Sequence, residues 1–317
     1  MRFSYPPADY GYATVVALSL IAVTGIGLLL QRRIIRTASY AAITGRGYRV
    51  APILLGRWRW VAVAILGAYM VATILLPYGV MMLASFQAYW TQEFTAFTLD
   101  NYRSVFTRGL LVRATENSLL LAVFGACVAT ALAACIAYVV QRSRAPGRSW
   151  LDFMATIPIG IPGMVLGVAL LWAWIAVPLE IYGTIWILLI AYITRFLPFG
   201  VRNVSAALTQ VGDELESAAR VSGATQWRTA VTITLPLVRN NVLSSWVIYF
   251  IEFLKELNMS VLLYSFGSVV IPVVIFDLYT EGRYPEVAAL AVGLSVLILV
   301  VLAISSRFFR IRISPLG

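Results

Sequence analysis

The chain has 317 residues, of which 61% are hydrophobic and 12% charged, and its mean hydropathy is +0.86. Soluble domains are only about half apolar, so this composition excludes an ordinary soluble protein and predicts a multi-pass membrane protein. The formal net charge of +10 would suit nucleic acid, but the arginines lie between apolar segments, as topology signals do. We therefore expect no nucleic-acid partner. The absence of histidine disfavours proton relays and metal sites.

Seven apolar segments each approach the roughly 20 residues that cross a bilayer. They cover residues 10–30, 60–85, 118–140, 151–177, 184–201, 242–257 and 287–306. We therefore expect an all-α membrane protein with about seven transmembrane helices. An extra N-terminal helix and a basic linker would occupy residues 1–59, and a six-span core would occupy residues 60–317.

The placement of the arginines predicts the orientation of these spans. The segment after the first span carries seven arginines and no acid, and the segment after the third carries Arg142, Arg144 and Arg148 and no acid. Such segments face the cytoplasm. We therefore expect a lipid-embedded inner-membrane protein whose N-terminus lies outside, with residues 213–237 and the C-terminus in the cytoplasm.

Residues 213–237, DELESAARVSGATQWRTAVTITLPL, form the longest polar-rich interval late in the chain. Their pattern predicts two short helices joined at a glycine. We expect Asp213 to cap the first helix, with Glu216 as its capping-box partner, and Gly223 to close that helix in a left-handed conformation. We expect Thr225 to cap the second helix and Pro236 to end it, because proline lacks the backbone donor.

The same interval, which we call the 213–237 loop, resembles the EAA loop of the permease subunits of binding-protein-dependent ABC importers. In that family Glu-Ala-Ala is followed by three residues, a glycine, nine residues and Ile-x-Leu-Pro. The matching positions here are Ser217, Ala218, Ala219, Gly223, Ile233, Leu235 and Pro236. Ser217 departs from the family glutamate, and Glu216 precedes it. One helical step of about 100° turns Glu216 elsewhere, so we expect Glu216→Gln to be mild. An ordinary amphipathic hairpin is the less favoured alternative.

The resemblance implies a type I ABC importer permease, with the MetI-like fold and a cytoplasmic coupling-helix loop. It implies a non-catalytic subunit without a cofactor, whose partners are two cytoplasmic ATPase subunits that bind ATP and magnesium. A second permease half or copy and a periplasmic or lipid-anchored solute-binding protein are also implied. Within the loop, Trp227 is expected to be an apolar anchor in the ATPase. The sequence contains no GxxxxGK[ST], HExxH or GxSxG motif for hydrolysis.

Candidate residues of a translocation path occur in the fourth and fifth spans. Pro158, Pro162 and Gly163 interrupt the fourth span. Broken helices near the bilayer midplane often line transport paths, although a kinked packing helix is an alternative. Arg195 lies inside the fifth span, where it would either line the path or extend to the cytoplasmic surface; we favour the second.

The sixth span ends with three charged residues, Glu252, Lys255 and Glu256. Their helical spacing favours an ion pair near the outer surface over a gate or a substrate contact. Residues 260–275 are apolar but interrupted by Gly267 and Pro272, which predicts a re-entrant or packed hairpin rather than a full span.

The segments KELNMSVLLYS and DLYTEGRY resemble iron-type permeases, which implies ferric iron as the solute. Organophosphonates, polyamines or another small solute are alternatives, and a secondary transporter that needs no ATPase is the rival class. The first and last spans share Tyr10 with Tyr284 and Arg33 with Arg307 when they are aligned. The chain is therefore either the second half of a fused permease or an independent subunit with one extra helix.

Overall fold

The structure is a computed structural model, and it describes residues 55–91 and 96–309 together with five helical positions in the first apolar segment. These positions are Val15, Ser19, Ala22, Val23 and Ile26. Apart from them, the predicted N-terminal helix and the basic linker lie outside the described residues, as do the arginines at 310 and 312.

The described residues are almost entirely helical, with one isolated antiparallel bridge between Gln87 and Phe97. The helices are α1 (Trp58–Ser85), α2 (Asp100–Thr107), α3 (Gly109–Arg142), α4 (Arg148–Thr156), α5 (Gly163–Ala176), α6 (Ile185–Gln210), α7 (Asp213–Val221), α8 (Gln226–Thr229), α9 (Leu235–Lys255), α10 (Ser260–Leu263), α11 (Ile271–Thr280) and α12 (Tyr284–Phe309). A 3₁₀ turn, Ile157–Gly160, follows α4, and a π-helical turn, Ala230–Thr234, joins α8 to α9.

Four of these helices, α1, α3, α6 and α12, are long and apolar enough to cross a membrane. A fifth crossing is formed if α4 with its 3₁₀ turn and α5 count as one span, which is bent by 114°. The predicted sixth span corresponds to α9, which is less apolar because Arg239, Asn240 and Asn241 lie near its start. Together with the first apolar segment, these elements match the order of the seven predicted spans.

Helices α3, α6 and α9 pack against one another and form most of the core. The face of α3 at this contact consists of small residues at helical spacing, namely Ala122, Ala126, Ala129, Ala133 and Ala137, all fully buried. Small side chains let helices approach closely in a membrane. A Cβ at Gly125 would lie 2.8 Å from the Phe253 ring of α9, so this approach requires glycine.

Helix α1 is attached mainly by its second half, which packs against α12. Its other apolar residues are exposed except for Ala62 and Met81, which are half-buried, and Ala84, which is buried next to Ser85 at the end of the helix. An apolar helix with this exposure needs lipid or another protein around it. The expected hairpin after α9 is confirmed, because the short helices α10 and α11 are joined by a loop and pack within the core.

Candidate functional site

The first half of the 213–237 loop is a helix, as predicted, but the start of this helix differs from the prediction. Gly212 occupies the N-cap position of α7 and no side chain caps it, so the capping box of Asp213 and Glu216 is wrong. The end is confirmed. Gly223 has φ +85°, and the Ala224 N–H donates to the Ala219 carbonyl at 3.0 Å. This pattern closes a helix at a left-handed residue.

The second half of the loop begins as predicted and continues further than predicted. The Thr225 hydroxyl accepts the N–H of Arg228 at 3.3 Å and so caps α8. Pro236 does not end this helix, which is a correction. It lies in the first turn of α9, where its missing donor is tolerated because the preceding π-helical turn changes the hydrogen-bond register. Residues 226–255 are therefore one continuous helical rod.

Glu216 has a role that the sequence pattern did not predict. Its carboxylate is buried within the chain, 3.0 Å from the Arg142 guanidinium, and it accepts the Thr234 hydroxyl at 2.8 Å. As expected, Glu216 points away from the position that the family glutamate would occupy at residue 217. It points into the protein interior, however, and does not cap its own helix. Because the carboxylate is buried and paired, we now expect Glu216→Gln to be damaging and not mild.

The loop also carries large apolar side chains that are exposed. Trp227 is 78% exposed and Val221 is 90% exposed. Ser217, Ala218, Leu235 and Pro236 are also exposed, whereas Ala219 and Ile233 are half-buried. Large apolar side chains at such exposure are typical of a surface that a partner covers.

The second candidate region is the break between α4 and α5. The 3₁₀ turn ends at Gly160, and α5 starts at Gly163 with Pro162 as its N-cap residue. Arg195 of α6 donates to the carbonyl oxygens of Pro158, at 3.1 Å, and Ile161. Extension of Arg195 to the membrane surface is therefore wrong, because its guanidinium binds carbonyls at the break. The Pro158 carbonyl also accepts the Ile161 N–H at 3.3 Å, so Arg195 is its second donor.

The end of α9 lies beside this break. A Cβ placed on Gly163 would lie 3.4 Å from Asn258 and 3.9 Å from the Nε atom of Arg195. Glu256 is buried, accepts the N–H of Met259 at 3.1 Å and lies close enough to Arg195 to interact electrostatically. Pro158, Gly163, Arg195 and Glu256 thus come together, with Asn258 as a member that sequence reasoning missed.

Lys255 and Glu252 form the expected ion pair at 2.9 Å, and both side chains reach solvent-accessible surface, at 54% and 28% exposure. Glu256 is not part of this pair.

Arg142 is the other site residue that the sequence does not predict, because its position after an apolar segment indicates only a topology signal. Its pairing with Glu216 carries no local sequence signal, since the two residues lie on different helices.

The chain is similar in sequence to membrane components of solute transport systems. The family profile described as "Binding-protein-dependent transport system inner membrane component" matches residues 129–312. The "Ferric transport system permease protein FbpB" of Actinobacillus pleuropneumoniae is 29% identical over 301 residues, which cover 93% of this chain and 43% of that protein. The chain thus spans less than half the length of this ferric relative.

Other relatives are closer to this chain in length. The "Putative 2-aminoethylphosphonate transport system permease protein PhnV" of Salmonella choleraesuis is 26% identical, with 82% of this chain and 97% of that protein covered. The "Spermidine/putrescine transport system permease protein PotC" of Escherichia coli is 28% identical, with 75% and 90% covered.

Solved structures share the fold at lower sequence identity. A chain of a bacterial ABC transporter involved in the import of alginate matches with a TM-score of 0.64 and 20% identity, over 80% of this chain and 96% of that chain. A chain of the MetNI methionine ABC transporter matches with a TM-score of 0.55 and 18% identity, over 63% and 95%. Because the family profile covers more than half of the sequence, the chain belongs to the family of inner membrane components of binding-protein-dependent transport systems.

Proposed function

We propose that this chain is the permease subunit of an ATP-driven importer, in which it forms part of the solute path and couples to two ATPase subunits. The observation that carries the proposal is the 213–237 loop. It combines a helix that closes at Gly223 and a helix that Thr225 caps with exposed large apolar side chains, Trp227 among them. The loop lies within the residues that match the family. An exposed tryptophan is a frequent anchor of protein interfaces.

The continuous rod at 226–255 supplies a mechanical connection between the loop and the candidate path. A helix rises about 1.5 Å per residue, so α9 alone extends about 30 Å. Its first turn belongs to the loop, and its far end leads to Glu256 beside the break near Gly163. Movement of the loop by an ATPase would therefore displace the residues at the break. This coupling supports Pro158, Pro162, Gly163, Arg195 and Glu256 as path residues, with Glu252 and Lys255 at the surface of the same helix end.

The proposed partners follow from this role. ATP and magnesium would bind in the ATPase subunits, and the chain itself would perform no catalysis. A second permease half or copy would complete the path, and a periplasmic or lipid-anchored protein would deliver the solute. The exposed apolar face of α1 would contact lipid or the second half.

The proposed solute is ferric iron. Two ferric transport permeases are among the most similar relatives, at 29% identity each. Aminoethylphosphonate and polyamine permeases at 26–28% identity are the alternatives. Competition of candidate solutes for uptake, measured in cells that produce this chain, would distinguish them.

The proposed orientation places the N-terminus outside and the 213–237 loop and C-terminus in the cytoplasm. A cysteine in place of Ser143 should react with a membrane-impermeant label only from the cytoplasm, and a cysteine in place of Thr280 only from outside. Labelling of the Thr280 position from the cytoplasm alone would overturn this orientation.

The experiment that tests the coupling assignment is copurification with a candidate ATPase subunit of an ABC importer from the same organism. We expect Trp227→Ala to reduce the amount of bound ATPase at least fivefold. The matched control is Trp172→Ala in α5, because Trp172 is 67% exposed but lies outside the loop. Equal ATPase recovery for both variants and the unmodified chain would contradict the assignment of Trp227.

A further inference from the structure

We propose that Arg142 and Glu216 are a buried pair of positioning residues, which makes the 213–237 loop move as one body with the ends of α3, α6 and α9. The proposal rests on the coupling role proposed above. It assigns to Glu216 a contact inside this chain, rather than a contact to the ATPase.

The pair lies where several helices end. Arg142 is the last residue of α3, and its guanidinium is 3.0 Å from the Glu216 carboxylate. Arg142 also donates to the carbonyl oxygens of Leu208, at 2.8 Å, and Val211, at 2.6 Å, which lie at the end of α6. Thr234, in the π-helical turn before α9, donates to Glu216 at 2.8 Å. One guanidinium and one carboxylate thus join the ends of α3, α6, α7 and α9.

The burial of this pair makes both partners necessary. The side chains of Arg142 and Glu216 are only 9% and 7% exposed, and Thr234 is 2% exposed. A buried ion that loses its partner remains desolvated without compensation, whereas an exposed ion recovers its hydration. The geometry therefore favours a single, defined position for α7 over a range of positions.

The other attachments of α7 are weak. Among the described residues, α7 packs mainly against α8 and the π-helical turn, and it has no extensive contact with α3 or α6. Of its side chains that the structure describes, only Glu216 is buried. Glycines flank the helix on both sides, Gly212 and Gly223, and a Cβ at either would meet no atom within 4 Å. Glycine has more backbone freedom than any other residue. Without the pair, we expect α7 to sample a range of positions, with Gly212 and the residues after Gly223 as the points of movement.

This arrangement has a mechanical consequence. The covalent chain connects the loop firmly to α9 alone, through the continuous rod at 226–255. The Arg142–Glu216 pair adds a connection to α3 and α6, which form the core with α9. A force applied to the exposed face of the loop would then move three core helices together, and loss of the pair would let part of that force be absorbed by rotation of α7.

The first test measures the position of α7 directly. A spin label at Val221→Cys reports on α7, because Val221 is 90% exposed, after Cys127 and Cys135 are replaced by alanine. We expect Glu216→Gln to increase the mobility of this label, and the matched control Glu214→Gln to leave it unchanged, because Glu214 is exposed on the same helix. Unchanged mobility in Glu216→Gln would overturn the proposal.

The second test separates positioning from ATPase binding. We expect Glu216→Gln to retain ATPase copurification but to lose solute-stimulated ATP hydrolysis and uptake at least tenfold. Arg142→Gln should do the same, and the double variant should be no worse than either single variant, because both residues act in one contact. Lost ATPase binding with unchanged label mobility would identify Glu216 as an interface acid and overturn the proposal.

A milder variant covers the case in which Glu216→Gln does not insert into the membrane. Thr234→Val removes one hydrogen bond to Glu216 and keeps the charged pair, and we expect about a threefold loss of uptake with a measurable increase in label mobility. If Thr234→Val changes neither quantity, the proposal is contradicted. Failure of the unmodified chain to bind any ATPase would instead contradict the proposed function, and the label measurement would still decide the positioning role.

Discussion

Two arginines on neighbouring core helices make different kinds of contact. Arg142, at the end of α3, meets a buried carboxylate as well as backbone carbonyls. Arg195, within α6, meets the carbonyl oxygens of a broken helix, with Glu256 as a nearby charge. The first contact joins separate elements through a pair of charges, and the second completes the hydrogen bonding of one interrupted span. We therefore expect Arg142 to hold the 213–237 loop in position relative to the core, and Arg195 to stabilise the break between α4 and α5.

The largest effect on stability is expected for Arg142→Met. This change leaves the buried Glu216 carboxylate without its counter-ion and with the Thr234 hydroxyl as its remaining partner described above. Removing one partner of a buried ion pair costs about 3–5 kcal/mol of unfolding free energy. Thermal unfolding of the purified protein in detergent measures it, with Arg144→Met as the control because Arg144 is exposed. Equal thermal stability of the two variants would show that the Arg142–Glu216 contact is not formed.

A smaller loss of unfolding free energy is expected for Arg195→Met. The Ile161 carbonyl loses the donor that Arg195 supplies, whereas the Pro158 carbonyl keeps the Ile161 N–H at 3.3 Å. An unsatisfied buried polar group costs about 1–3 kcal/mol, and the half-buried Ile161 carbonyl is expected to lie at the lower end of that range. Glu256 retains the N–H of Met259, so it is not left without a partner. The same thermal measurement should rank this variant between Arg142→Met and Arg144→Met. A larger loss of stability in Arg195→Met than in Arg142→Met would contradict the account, because it would make the contact at the break the stronger of the two.

Gly223→Val should affect function more than global stability. Gly223 has φ +85° and open space around it, so the cost is backbone strain of about 1–2 kcal/mol rather than a clash. We expect normal membrane insertion and at least a tenfold loss of uptake, because the end of α7 is distorted. Gly212→Ala is the control, since its φ of −63° suits any residue. Wild-type uptake by Gly223→Val would exclude a precise loop geometry as a requirement.

The smallest effect is expected for Lys255→Met. Its ion pair with Glu252 is exposed, and such pairs contribute about 0–1 kcal/mol. Thermal stability should remain within experimental error of the unmodified protein. A loss comparable to that of Arg195→Met would mean that Lys255 is part of the polar cluster at the break and not only of a surface pair.

The sequence predicted those parts of the loop and the fold that depend on local interactions. The left-handed Gly223, the cap by Thr225 and the Glu252–Lys255 pair each involve residues within a few positions of one another. The apolar spans follow from hydropathy in the same way. These features could be recognised because their physical causes lie within one helix or one turn.

The features that sequence reasoning missed depend on residues that are distant in the chain. The burial of Glu216 requires the ends of three other elements, and the contact of Arg195 requires the carbonyls of the broken span. The passage of the helix through Pro236 was missed for a different reason, because a π-helical turn shifts the hydrogen bonds so that no donor is needed there. Helical period alone shows which way a side chain points, but not what it meets.

The most direct test of the proposed function is uptake by proteoliposomes that contain the complete permease, with and without the ATPase that copurifies with it. We predict that solute delivered by the binding protein enters only when the ATPase and Mg-ATP are present, and that Trp227→Ala reduces this uptake in proportion to the ATPase that it fails to bind. Equal uptake without the ATPase, driven by an ion gradient, would contradict the account and identify a secondary transporter.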